Sequence, residues 1–123
     1  MSDPVSDTGP ALRLRVVFAG GRRLGPGKAD LLELVRETGS ISAAGRRMGM
    51  SYKRAWTLIE ELNAMFRAPL VHSVRGGAKG GGAQLTELGE TILAHYRALE
   101  RTAALQGRAE LEALAALSSD MSE

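Results

Sequence analysis

With 123 residues, the chain is long enough for one hydrophobic core and too short for two. It has no cysteine, which excludes disulfides, thiolate metal sites and Cys nucleophiles, and no run of the roughly 18 apolar residues that a membrane span needs. The net charge of +2 is unevenly spread: Arg13 to Lys79 holds thirteen Lys/Arg against five acids and Gln84 to Glu123 three against seven, so one side attracts a polyanion that the other repels.

In chain order, Met1 to Pro10 is rich in Ser, Asp, Pro and Gly and has neither the basic nor the apolar region of a secretory signal. Residues 1–11 are expected to be a disordered tail on a cytoplasmic protein. Leu12, Leu14, Val16 and Phe18 then alternate with Arg13, Arg15 and Val17, the period of a half-buried strand ending at Gly20-Gly21. After a turn from Gly20 to Gly27, Leu31, Leu32, Leu34 and Val35 recur at helical spacing until Gly39. Ser40 is an N-cap for a short second helix with Ile41, Ala44 and Met48 on one face, stopped by Gly49. Ser51 caps a third helix whose apolar set is Ala55, Ile59, Leu62 and Phe66, flanked by Tyr52, Trp56 and Met65 and terminated by Pro69.

Leu70 to Arg75 reads as a strand, Gly76 to Gly82 is a glycine-rich tip, and Ala83 to Leu85 returns antiparallel. Thr86 caps a helix running to about Leu117, with Leu88, Ile92, Tyr96, Leu99 and Ala103 spaced by three or four. Gly107 interrupts the phase, and Leu111 and Leu114 resume it. The expected organisation is mainly α with a small β-sheet. It comprises a winged helix-turn-helix over residues 12–85, a dimerisation helix over 86–117 and a second disordered tail over 118–123.

Charge placement gives this order a chemical meaning. Lys53 and Arg54 lie in the first turn of the third helix, where cations oppose the helix dipole at a cost of a few tenths of a kcal/mol, roughly. A nearby phosphate or guanine turns that cost into a gain. In helix-turn-helix proteins this end of the recognition helix enters the major groove. Double-stranded DNA is therefore the expected partner. Ser51, Tyr52, Lys53, Arg54 and Thr57 are the candidate contacts on the helix, with Arg75 and Lys79 on the wing.

The segments Gly39-Ser40-Ile41-Ser42, Ala44, Met50-Ser51-Tyr52-Lys53-Arg54-Ala55-Trp56, Leu70-Val71, Gly76-Gly77-Ala78-Lys79-Gly80-Gly81-Gly82 and Leu85-Thr86 resemble the N-terminal domain of ModE-type molybdate-dependent transcriptional regulators, whose helix-turn-helix is LysR-like. The resemblance runs from about Leu12 to Ala104. It implies DNA contacts by Ser51 to Arg54, backbone contact by Lys79 and neighbouring wing amides, and target genes concerned with molybdenum. Arg54 occupies the variable position of the motif, so its base preference belongs to this protein. Nothing after Thr86 resembles the family's oxyanion-binding modules, so molybdate binding by this chain is not expected.

Other readings are weaker. Trp56 stands beside Ile59 and reads as core packing rather than a base-stacking platform. Gly27-Lys28 invites a phosphate-loop reading, but Arg22 stands where the motif needs glycine and Ala29 where it needs a hydroxyl. His72 and His95 lack partners at ligand spacing, so neither a metal nor another cofactor is expected, and no catalytic constellation converges. A rival function is a protein-interaction module in which the helix-turn-helix is only a scaffold and the long helix binds a different protein. The helix from Thr86 onward is expected to form the dimer interface, so cutting the chain after Thr86 should leave a weak, monomeric DNA binder.

Overall fold

The computed structural model describes residues 10–74 and 82–119. Its elements are β1 (Val16–Val17), a 3-10 turn (Ala19–Gly21), β2 (Arg23–Leu24), α1 (Pro26–Thr38), α2 (Ile41–Arg47), α3 (Tyr52–Met65), β3 (Val71–Val74), β4 (Gly82–Leu85), α4 (Glu87–Gln106) and α5 (Arg108–Leu117). Two antiparallel ribbons, β1–β2 and β3–β4, flank the helices; in the second, Val71 faces Leu85 and Val74 faces Gly82.

Single residues set the helix ends. Pro26 opens α1 with its φ already helical, and Gly39 closes it in the left-handed region at φ 72°, its N–H donating to the Val35 carbonyl. The hydroxyls of Ser40, Ser51 and Thr86 accept from the N–H groups of Ala43, Arg54 and Gly89, each three residues on, so all three expected caps are present. Between the caps, one stripe of each helix is buried. Ala29, Leu31, Leu32 and Val35 of α1, Ile41 and Ala44 of α2, and Ala55, Leu58, Ile59 and Leu62 of α3 form one core with Leu70, Val71, Ala83 and Leu85.

Four boundaries differ from the expectation. The N-terminal strand is reduced to two residues, although Leu14, Val16 and Phe18 are more buried than Arg13, Arg15 and Val17, as the alternation requires. Its partner β2 lies in the segment expected to be a turn. The third helix stops at Met65, four residues before Pro69, with Phe66 already extended at ψ 178°. The C-terminal helix is interrupted at Gly107, whose ψ of 8° separates α4 from α5.

The first two-thirds of α4 belongs to the domain itself. Leu93 and Tyr96 are in the core, and the Tyr96 hydroxyl donates to the Leu14 carbonyl at 2.7 Å, fastening the N-terminal segment. Next to it, Arg97 donates to Asp30 at 2.8 Å, to Glu33 at 2.6 Å and to Glu100 at 3.0 Å, joining α4 to α1. Burial lowers the pKa of this guanidinium, and the hydrogen bonds to Asp30, Glu33 and Glu100 more than reverse that, so the charge is held above its ordinary affinity for a proton.

Burial, followed by the charge of Glu100, pushes the Tyr96 phenol up from 10.0 to about 12. The unfolded chain thus releases this proton first. The stability that Tyr96 contributes is whole below the unfolded value and is lost as pH rises through the folded one. Denaturant titrations are expected to show stability falling between those two values, and Tyr96→Phe to flatten the fall. An unchanged slope in the variant would refute the assignment.

Candidate nucleic-acid interface

The site starts from how α3 is rolled. Burying Ala55, Leu58, Ile59 and Leu62 against α1 and α2 turns Tyr52, Lys53 and Arg54 outward, and Ser51 at the cap is exposed with them. Gly45 of α2 lies so close to Ala55 that a Cβ on it would come within 2.8 Å of the alanine methyl, so α2 and α3 pack tightly enough to move as one piece. Gly49 makes the turn between them at φ 73°, and the Met50 N–H closes it on the Gly45 carbonyl at 3.0 Å.

No acid occupies the first turn of either α2 or α3. The helix dipole of α3 and the charges of Lys53 and Arg54 therefore add up at one end of the molecule. The turn brings two more cations there. Arg46 and Arg47, both exposed in the last turn of α2, precede the Ser51 cap by only a few residues, with Arg47 loosely paired to Glu37 at 3.6 Å. Sequence reasoning passed over them because it weighed only the start of α3 and the wing. The signal was available: two arginines next to the helix-turn-helix turn.

Tyr52 is 58 % exposed, and its ring meets that of Trp56 edge-on at 6.2 Å. Trp56 is half-buried and packs on the core, as read, but its other side supports the outward tyrosine. Thr57 is half-buried, and its hydroxyl donates to the Lys53 carbonyl at 3.0 Å, so it retains only acceptor capacity for a ligand. Arg75 and Lys79, the wing contacts, lie outside the described residues. Lys28, the centre of the phosphate-loop reading, is held by Glu61 at 3.3 Å and by the Arg23 carbonyl at 3.1 Å. Its cleft, lined also by Gly21, Arg22, Ala64 and Met65, sits at the C-terminal end of α3, away from Ser51.

The expected dimer stripe is divided. Tyr96 is only 2 % exposed and is committed to the protomer's own core, a correction to its place in that stripe; Leu88 and Ile92 are half-buried against the same core. Ala103 is half-buried and Leu99 is 45 % exposed. Beyond them Leu105, Leu114 and Leu117 are open to solvent at 62 %, 65 % and 84 %, and α5 buries no residue at all.

Residues 28–90, which span α1 to the first turn of α4 and so the whole described site, match the bacterial regulatory helix-turn-helix proteins of the LysR family. The chain belongs to that family. A regulatory helix-turn-helix domain of this family is a DNA-binding module of transcription control. Among the described residues, no helix is long and apolar enough to cross a membrane. The LysR-type domain is 44 % identical over 94 residues to the molybdenum-pterin-binding protein MopB of Rhodobacter capsulatus, covering 76 % of this chain and 35 % of that protein. Over 80 residues it is 45 % identical to the molybdenum transport protein ModE of Azotobacter vinelandii, covering 65 % of this chain and 30 % of the other. To the DNA-binding transcriptional dual regulator ModE of Escherichia coli K12 it is 39 % identical over 80 residues, covering 65 % and 29 %. The chain spans about a third of the length of these relatives.

Proposed function

We propose that the chain acts as a homodimeric, sequence-specific regulator that places two copies of α3 in successive major grooves of a pseudo-palindromic operator, at genes concerned with molybdenum. The observation that carries the DNA reading is the exposed, acid-free front of α3, where Ser51, Tyr52, Lys53 and Arg54 project beside Arg46 and Arg47. The molybdenum assignment is supported by the names of the three relatives. Dimerisation is supported by the apolar surface of Leu99, Leu105, Leu114 and Leu117, which the protomer leaves open. Two α3 helices spaced by a dimer explain why so small a domain reads a site of useful length.

Within this reading Arg54 and Lys79 have different tasks. Arg54 reaches a base edge, so Arg54→Ala is expected to lower affinity for the operator by about 1 to 3 kcal/mol and relax preference at one or two positions. Lys79 neutralises a phosphate. Its replacement by Ala is expected to weaken all duplexes alike and make the dependence of log K on log salt shallower by about one unit. Footprinting in cells grown with and without molybdate supplies the operator, and salt titrations on it and on a scrambled duplex make the comparison. Equal, sequence-independent losses for both variants would remove Arg54 from base readout. A protein without steep salt dependence would favour the rival scaffold reading.

A further inference from the structure

We infer that Asn63 is a positioning residue that locks the wing to the recognition helix, so that base reading by α3 and phosphate contact by the wing occur as one event. Asn63 is half-buried on the last turn of α3, away from the groove-facing end. Its Oδ1 accepts from the N–H groups of Leu70 at 2.8 Å and Val71 at 3.0 Å, and its Nδ2 donates to the Val71 carbonyl at 3.1 Å. One side chain thereby satisfies three backbone groups at the root of β3.

Leu70 and Val71 are 0 % and 4 % exposed, so water is a poor substitute for these bonds. Among the described residues, they are the only side-chain hydrogen bonds between α3 and the β3–β4 ribbon. The opposite strand is held elsewhere. The Ala83 N–H donates to the Gly39 carbonyl at 2.9 Å, and Gly82 packs on that same carbonyl, which ties β4 to the end of α1. The ribbon is thus pinned by backbone on the α1 side and by Asn63 on the α3 side. The root of β3 is also held to α4, where the Leu70 carbonyl accepts from the Thr86 N–H at 2.9 Å, so loss of Asn63 frees the α3 side alone and loosens the angle between helix and wing.

The inference rests on the wing reading of Lys79, and the experiment separates the two. Asn63→Ala, Lys79→Ala and the double variant are compared on operator and scrambled duplexes over a range of salt. Asn63→Ala is expected to weaken binding on the order of tenfold on both duplexes, to leave the base preference of α3 in place and to make the salt slope shallower by about one unit. The double variant should lose no more than the larger single loss. Asn63→Asp keeps both N–H acceptors and is expected to restore the slope. If Asn63→Ala does not fold, Asn63→Ser, which is too short to reach the Leu70 and Val71 N–H groups together, carries the same cycle. Additive losses, or an Asn63 variant that is less stable yet binds with unchanged slope once folded, would show that Asn63 merely supports the fold. A neutral Lys79→Ala would remove the wing contact itself, and the coupling with it.

Discussion

Leu99→Glu is expected to convert the protein into a monomer and to reduce operator affinity by about 10²- to 10⁴-fold, while leaving the fold intact. The magnitude follows from avidity: two half-sites bound by linked domains gain this factor without any new contact, and a monomer forfeits it. Leu99 is suited to the test because it is 45 % exposed on α4 and absent from the core cluster, so a carboxylate there desolvates only if another chain covers it. Tyr96 and Leu93, a turn or two before it, are not suited. Both are buried at 2 %. For the same reason cutting the chain after Thr86, which the sequence alone recommends, removes part of the core and the Arg97 links to Asp30 and Glu33. Ending the chain before Arg108 instead removes only α5, which buries nothing. Sedimentation equilibrium and operator titration together decide the matter. A Leu99→Glu variant that remains a dimer would place the interface elsewhere. A monomeric variant with full affinity would overturn the paired half-site reading.

What was legible in the sequence was chemistry confined to a few adjacent residues. Ser40, Ser51 and Thr86 each announce a helix start, because a hydroxyl three residues before a free N–H is a local device. The buried stripe of α3 was legible for a similar reason, since Ala55, Ile59 and Leu62 repeat at helical spacing. Ownership of a surface was not. Leu88, Ile92, Tyr96, Leu99 and Ala103 read as one continuous stripe, yet the first three pack on their own domain. That choice is made by residues more than 60 positions away, such as Asp30 and Glu33, which draw Arg97 and with it α4 onto α1. β2 escaped because two residues carry no period, and its pairing depends on Gly20 and Gly21 at φ 86° and 83°. Asn63 escaped because a single polar residue inside a helix has no pattern at all; its partners exist only once β3 has been folded back along α3.

The largest effect on stability is expected at a glycine. Gly89 sits in the first turn of α4, its N–H donating to the Thr86 hydroxyl at 3.0 Å, and that hydroxyl donates in turn to the Pro69 carbonyl at 2.8 Å. Two effects of Gly89→Ala oppose each other. Helix propensity favours alanine by up to about 1 kcal/mol. Packing forbids it, because a Cβ would run into the carbonyl oxygen of Leu70 and lie 3.1 Å from its carbon and 3.3 Å from its Cα. These are backbone atoms and cannot rotate away. The Leu70 carbonyl already accepts from the Thr86 N–H at 2.9 Å and the Leu70 N–H is held by Asn63, so α4 must move instead. Overpacking of this kind costs typically 1 to 3 kcal/mol, and with no flexible neighbour to yield it exceeds the propensity gain. The net loss is expected to be about 2 kcal/mol, on the order of 10 °C in Tm for a domain of this size. Gly27→Ala is the control. Gly27 also lies in a first turn, that of α1, but has nothing within 4 Å of an added Cβ, so there propensity acts alone and the variant should be unchanged or slightly more stable. Thermal melts of the two variants beside the parent decide between packing and propensity: if Gly89→Ala melts with Gly27→Ala, the close approach of α4 to Leu70 does not constrain the fold.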